Sequence, residues 1–457
     1  MPISLLHGPL PVVVQTLAAV LLVAAIGWRT RRWRRKLLPL AVLLGVAVAA
    51  WARWLIAYDG LADDPAPGWL WLWIALTGLA AGVLVVGWRS ARLWRRTTSA
   101  LAIPLCLLSA ALVLNMWVGY VPTVQAGWGQ LTAGPLPDQT DQAGITALVA
   151  HTQQVHTLPT NGRLLPVTIP SDASGFKHRN ELVYLPPAWF ASNPPPRLPT
   201  VMMIGGDINT PADWVRAGNA VETVDAFAAQ HGGNAPVLVF VDSIGNFAND
   251  TECVNGVRGN PADHLTKDVV PYTISTFGVS PEPSNWGVVG WSMGGTCAVD
   301  LATMHPELFS VFEDISGDLA PNTGTRDQTI DRLFGGNASA WADFDPVTVM
   351  IRHGRYANES GWFASPTSTY GQATQADAAR ALCDVGRTVG INCAVVPMPG
   401  KHDWPFATAA FASALPWLAF AVHTPGAPPV PLGTTPSPTR MPNTSSTPGA
   451  GTGPSRS

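Results

Sequence analysis

Four apolar runs fill the first 120 residues of this chain and limit what it can fold into more than any other feature. They are approximately Leu10–Trp28, Leu37–Ala57, Trp69–Trp88 and Ala100–Tyr120. Each is close to the ~20 residues that carry a helix across a ~30 Å hydrocarbon core. A helix suits that setting because lipid offers no partner to an unpaired backbone group. Composition agrees: only 12% of the 457 residues are charged, against about 25% in an ordinary soluble domain. A net charge of −3 does not suggest nucleic-acid binding, which calls for a basic domain.

The loops between the runs set an orientation. Arg29-Thr-Arg-Arg-Trp-Arg-Arg-Lys36 is strongly basic, and Arg89 to Arg96 holds four arginines. The intervening loop, Tyr58 to Gly68, carries Asp59, Asp63 and Asp64 and neither Lys nor Arg. Basic loops stay cytoplasmic, so both ends of a four-span bundle fall outside. No basic segment precedes the first run, so it does not read as a cleaved signal peptide. Trp51, Trp54, Trp69, Trp71, Trp73, Trp88 and Trp117 lie near the run ends, as in an interfacial belt. Arg53 can snorkel to the interface. As the one ionisable group seen inside the runs, it gives little support to a transport pathway.

After a linker, 123–160, the pattern changes. Arg163–Ile169, Glu181–Leu185, Thr200–Ile204, Val237–Val241, Trp286–Val289, Phe309–Asp314, Val347–Ile351 and Cys393–Val396 read as short strands. Helical patterns lie between them, among them Asp213–Ala229, Leu265–Phe277 and Gly294–Met304. Alternation of this kind predicts an α/β domain over 161–423 with a mainly parallel sheet. From 424 to 457 the chain is rich in Pro, Thr, Ser and Gly and is expected to be a disordered tail.

Trp286-Gly-Val-Val-Gly290-Trp291-Ser292-Met293-Gly294-Gly295 is an apolar strand running into G-x-S-x-G and a small-residue helix start. Such an elbow presents a serine at the top of a sheet. Ser292 is therefore the candidate nucleophile, with Gly290 and Gly294 leaving room for the turn. The Met293 N–H is one candidate oxyanion donor. The second is expected from the loop after the third strand, at Gly206 or, next, Asp207. In this fold the acid and then the histidine follow the serine. His402, in Pro399-Gly-Lys-His-Asp-Trp404, lies between the last strand and the last helix and is the candidate base. For the acid, Glu359 is expected in the loop after a strand at Val347–Ile351, with Asp384 and Asp377 as alternatives on the next helix.

Cys253, Cys297, Cys383 and Cys393 lie in the outer domain and invite disulfides outside the cytoplasm. Four cysteines allow three pairings. A local Cys383–Cys393 bridge would leave Cys253 to Cys297, beside the nucleophile helix. No C-x-x-C and no paired His and carboxylate suggest zinc, so neither metal nor cofactor is expected.

Three segments resemble the Putative esterase family of α/β hydrolases, which includes the antigen 85 mycolyltransferases. They are Gly206-Asp-Ile-Asn-Thr-Pro-Ala212; Gly290-Trp-Ser-Met-Gly-Gly295 with His305-Pro-Glu-Leu-Phe309 and Asp314-Ile-Ser-Gly317; and Pro399–Trp404. The resemblance covers about 160–420 and implies an α/β-hydrolase fold. It also implies a triad of Ser292, a carboxylate and His402, with Met293 N–H and the residue after Gly205 as oxyanion hole. In the mycolyltransferases the acid lies on the helix before the last strand, where this chain has Cys383 beside Asp384. The segment before Asp207 is shorter than theirs, so their sugar contacts do not carry over. The expected activity is acyl transfer through an acyl-serine, to water as a carboxylesterase or to a sugar hydroxyl as a cell-envelope acyltransferase. A non-catalytic binding protein on the same fold is the remaining reading. The expected partners are an acyl ester, a lipid or glycolipid among the possibilities, and membrane lipids, with no nucleic acid.

Overall fold

The computed structural model describes residues 3–59, 66–132, 135–247, 249–367 and 373–435. The four apolar runs form α1 (Pro9–Ile26), α2 (Leu38–Asp59), α3 (Gly68–Gly87) and α4 (Leu93–Val118). Asp63 and Asp64 of the second loop lie outside the described residues. All four helices are long and apolar enough to cross a membrane. Where they meet, small residues bring backbones close. Gly45 sits on the Ala75 carbonyl, Gly78 on Gly45 and Val48, and Gly82 on Ala41. Val20, Val23, Leu43, Val46 and Leu107 face outward.

Both ends of the bundle meet at one pole. Ser4 bridges Thr123 in an isolated ladder. The Leu5 N–H donates to the Pro122 carbonyl and the Val124 N–H to that of Ile3, each at 2.9 Å. The basic loops gather at the other pole. There Arg29 donates to the carbonyls of Ala25 at 2.6 Å and Gly87 at 3.3 Å, and the Arg95 guanidinium packs on Gly27.

The expected linker is partly helical. It holds α5 (Val124–Leu131) and α6 (Gln142–Val155), the latter capped by Asp141, which accepts the Gly144 N–H at 2.8 Å. Ile145 of α6 joins the main core, so this segment packs on the α/β domain.

Eight strands follow: β1 (Arg163–Val167), β2 (Glu181–Leu185), β3 (Thr200–Ile204), β4 (Val237–Val241), β5 (Trp286–Trp291), β6 (Val311–Ile315), β7 (Ser360–Pro366) and β8 (Asn392–Met398). Their spatial order is β1-β2-β4-β3-β5-β6-β7-β8. The β1–β2 and β2–β4 pairs are antiparallel and the remainder parallel. The expected α/β-hydrolase sheet, mainly parallel and flanked by helices, is what forms. The helices between strands are α7 (Asp213–Arg216), α8 (Ala220–Gln230), α9 (Pro261–Asp263), α10 (Val270–Phe277), α11 (Met293–Met304), α12 (Arg326–Phe334), α13 (Ala338–Ala342), α14 (Pro346–His353), α15 (Ala373–Thr388) and α16 (Trp404–Ala421). Central strands are buried on both faces, as near-continuous apolar runs require. Cys297, Leu301, Met350 and Leu382 cover one face. Val221, Val224, Phe411 and Leu418 cover the other. That packing explains why α16, which also has the length and hydropathy of a span, belongs to the sheet's core.

Three expectations are corrected. Val347–Ile351 is not a strand but part of α14. Pro346 stands at the first helical position and Asp345 caps it, accepting the Thr348 N–H at 3.0 Å. The seventh strand is Ser360–Pro366, whose Ser, Gly and Pro hide its strand character. Asp213–Ala229 is broken between α7 and α8, because Gly218 packs against Trp214 and Trp404. The tail's first residues are placed: Ala427, Val430 and Leu432 pack on the second core face. From 436 onward the tail lies outside the described residues.

Candidate active site

Strand β5 ends at Trp291 and α11 begins at Met293, so the whole reversal falls on Ser292. Its backbone takes φ 58° and ψ −124°, a strained combination for a residue with a side chain. The turn is held from below, since the Ser292 N–H donates to the Ile315 carbonyl at 2.9 Å. It is also held by close approach. A Cβ on Gly290 would collide with the Gly294 carbonyl, and one on Gly294 would lie 2.5 Å from the carbonyl oxygens of Ile204 and Gly205. The elbow thus requires both glycines.

Strand β8 delivers His402 to the same edge of the sheet. The Ser292 hydroxyl donates to His402 Nε2 over 2.9 Å. The imidazole packs on Trp291, with ring centroids 4.4 Å apart. Burial pushes its pKa down to about 4. At neutral pH the ring is therefore uncharged, the form in which Nε2 can accept a hydrogen bond from the serine hydroxyl. The loop is anchored on both sides of the histidine. Asp403 caps α16 by accepting the Phe406 N–H at 3.1 Å. Lys401 donates to the carbonyls of Met116 and, at 3.3 Å, Trp117.

Met293 is the first residue of α11, where backbone N–H groups have no intrahelical acceptor. Its N–H, beside the serine, keeps the place of an oxyanion donor. Gly206 is positioned as expected: a Cβ there would lie 3.0 Å from the Ser292 Cβ. Its N–H, however, donates to Asn209 Oδ1 at 2.9 Å. In this structure that N–H is therefore already paired with a side chain. Asp207, the next choice, lines the same cavity.

None of the three acid candidates lines the cavity that holds Ser292 and His402. Glu359 precedes β7, and Ser360 pairs with Val311 and Asn392 at the strands' beginnings. The seven residues of β7 then separate it from the edge that carries Ser292 by roughly 23 Å. Because 346–353 is helix α14 and β7 begins only at Ser360, Glu359 enters the strand at its far end and does not leave one toward Ser292. Asp377 and Asp384 lie on the solvent face of α15, paired with Arg380 at 2.5 Å and Arg387 at 3.2 Å.

A cavity of about 570 Å³ opens above Ser292 and His402, within the range of ligand sites. Asp318, in the turn after β6, and Gln375 line it with Trp291 and Asn209. So does the far end of α4, through Ala111, Leu114 and Val118. Trp291 was visible inside the motif. The α4 wall had no signal, because nothing in local sequence links residue 114 to residue 292.

The cysteines pair as Cys253–Cys297 and Cys383–Cys393. Side chains that spacing did not connect also meet: His178, Glu181 and His264 converge, as do Asp207, Asp250 and Glu252. In the first group, His264 bridges Glu181 at 3.1 Å and Asp268 at 3.2 Å, an internal ion-pair network that knits β2 to the segment after α9.

The family model described as Putative esterase matches residues 177–418. The chain belongs to that family. It is thus an esterase or acyltransferase enzyme of serine-hydrolase type, and the match spans the strand, elbow and histidine loop just described. It is 29% identical over 411 residues to an uncharacterised protein of Corynebacterium glutamicum, covering 88% of this chain and 92% of that one. An alignment of that length takes in part of the helical bundle as well. Among solved structures, an S-formylglutathione hydrolase from Agrobacterium tumefaciens is 16% identical, covering 58% of the esterase and 98% of that chain with a TM-score of 0.49. MPT51 of Mycobacterium tuberculosis is 21% identical, covering 56% and 97%, with a TM-score of 0.40.

Proposed function

We propose that this chain is a membrane-anchored serine carboxylesterase whose catalytic domain stands on the extracytoplasmic side. The observation that carries the chemistry is the 2.9 Å hydrogen bond from Ser292 to His402 Nε2 on a strained elbow. Ser292 Oγ attacks the ester carbonyl while His402 takes its proton. The Met293 N–H steadies the oxyanion, and collapse expels the alcohol, which receives the proton from His402. Water then attacks the acyl-serine while His402 takes its proton, and collapse breaks the bond to Ser292 Oγ, which receives that proton from His402 as the carboxylic acid leaves.

The anchoring reading draws on α1–α4, each of spanning length, with the basic loops at one pole and the catalytic domain at the other. Two disulfides in the domain fit an oxidising compartment. The proposed division is a four-span region over 1–122 and a catalytic domain over 161–423, with the linker packed on the latter.

A second reading shares every step as far as the acyl-serine and replaces water with a sugar hydroxyl. The segment Gly206–Ala212, similar to a run in the mycolyltransferases, favours keeping it. Purified full-length protein is expected to hydrolyse p-nitrophenyl butyrate and to lose that turnover on Ser292→Ala. Undiminished hydrolysis by the variant would sink the assignment. Added trehalose separates the two acceptors: a trehalose ester among the products selects the transferase.

A further inference from the structure

The cavity over Ser292 is walled partly by the helix bundle, and that wall names a substrate. Helix α4 has two faces near its end. Cys106, Ala110 and Val113 are buried against α1 and α3. Ala111, Leu114 and Val118, spaced three and four residues apart on another side, line the cavity that holds Ser292 and His402. Ala111 and Leu114 are exposed, Leu114 at 41%. Ala111 lies seven residues, about 10 Å, back from the helix end, inside the stretch long and apolar enough to span a membrane.

The junction is fixed rather than incidental. Lys401, next to the catalytic histidine, donates to the last carbonyls of α4 at Met116 and Trp117. The Tyr120 hydroxyl donates to Asp213, and Gly119 packs on Pro405. On the opposite rim, Ile208 and Phe247 are exposed at 41% and 69%. An apolar groove that starts at the nucleophile and continues down a spanning helix fits a chain that stays in the hydrocarbon.

We propose that the substrate is a long-chain acyl ester resident in the outer leaflet. Its acyl chain lies along Ala111, Leu114 and Val118 and reaches Ser292 laterally from the bilayer, without passing through water. This rests on the membrane-anchored esterase reading above and deepens it.

The test uses full-length protein in nanodiscs and two esters, p-nitrophenyl palmitate and p-nitrophenyl butyrate, alongside fluorophosphonate labelling of Ser292. Filling the groove with Ala111→Trp or Leu114→Trp is expected to lower the palmitate-to-butyrate ratio of kcat/KM by about tenfold or more, with Ser292 still labelled. An unchanged ratio in a labelled variant overturns the proposal. If either Trp variant loses the label through misfolding, the ratio is read in Leu114→Ala and Val118→Ala, which reshape the groove without crowding it; no shift in either overturns it equally. An ester lipid placed in the enzyme's own liposomes should be turned over, and the same lipid in separate liposomes should not; equal turnover contradicts lateral supply. Failure of the underlying reading looks different: wild-type protein would then neither label at Ser292 nor hydrolyse butyrate.

Discussion

Glu359 shows how much one residue's place in a strand decides. It is buried at the edge of the sheet away from Ser292. Burial first, and the Glu307 carboxylate second, raise its pKa to about 8. An unfolded carboxyl of this type titrates near 4.5. Between those values the folded chain holds a proton that the unfolded chain has released. Stability from this group is therefore complete below about pH 4.5 and falls as pH rises toward 8, by on the order of 3 kcal/mol at pH 7. Glu359→Gln, which cannot ionise, is expected to flatten that loss. The thermal midpoint should drop less between about pH 5 and about pH 8 than in wild type, with ester hydrolysis retained. A collapse of turnover in this variant would return Glu359 to the active site. Ser292 and His402 were legible at this scale because their chemistry demands unusual local sequence. Gly290 and Gly294 are needed to avoid backbone collisions, and a histidine between a strand end and a helix cap has few other places to point. The acid was not legible, because a carboxylate on a loop looks the same whichever edge of the sheet it faces.

Among the elements, α14 and β7 show where pattern reading fails. Val347–Ile351 is β-branched and apolar enough to pass for a strand. Asp345 and Pro346 form a helix start whose caps outweigh that propensity. Ser360–Pro366 carries Gly361 because the Phe312 ring of the neighbouring strand occupies the space a Cβ would need. The glycine that weakens the strand's signature is thus a demand of its own packing. The disulfides act at the same scale. Cys253–Cys297 closes 44 residues and Cys383–Cys393 only 10. On loop-closure entropy the first is worth about 4 kcal/mol and the second about 3 kcal/mol. The first also ties α11, which begins beside Ser292, to the segment bearing Phe247. The pair Cys253→Ala with Cys297→Ala is therefore expected to lower both thermal stability and turnover, whereas Cys383→Ala with Cys393→Ala lowers mainly stability. Thermal melts and esterase assays on the two double variants check the contrast; equal loss of activity in both would refute it.

For the whole molecule, the α/β-hydrolase sheet and the long apolar helices were both readable, since each rests on a pattern sustained over many residues. Their juncture was not. The Ser4–Thr123 bridge, the Lys401 contacts and the α4 wall join positions more than a hundred residues apart, and no local pattern encodes them. The proposed orientation has a direct check. Exposed Ser192 lies in the catalytic domain and exposed Thr30 in a basic loop. In intact cells a membrane-impermeant thiol reagent should label Ser192→Cys and should reach Thr30→Cys only after permeabilisation. The opposite result reverses the topology. The Lys401 clamp carries one more consequence. Two of α4's carbonyls accept from the residue beside His402, which ties the Ser292–His402 pair to the end of the bundle. Set in a bilayer as proposed, such an enzyme meets its substrate by two-dimensional diffusion. Its rate then follows the mole fraction of ester among neighbouring lipids, and diluting that ester with inert lipid slows turnover even when its amount per volume of sample is unchanged.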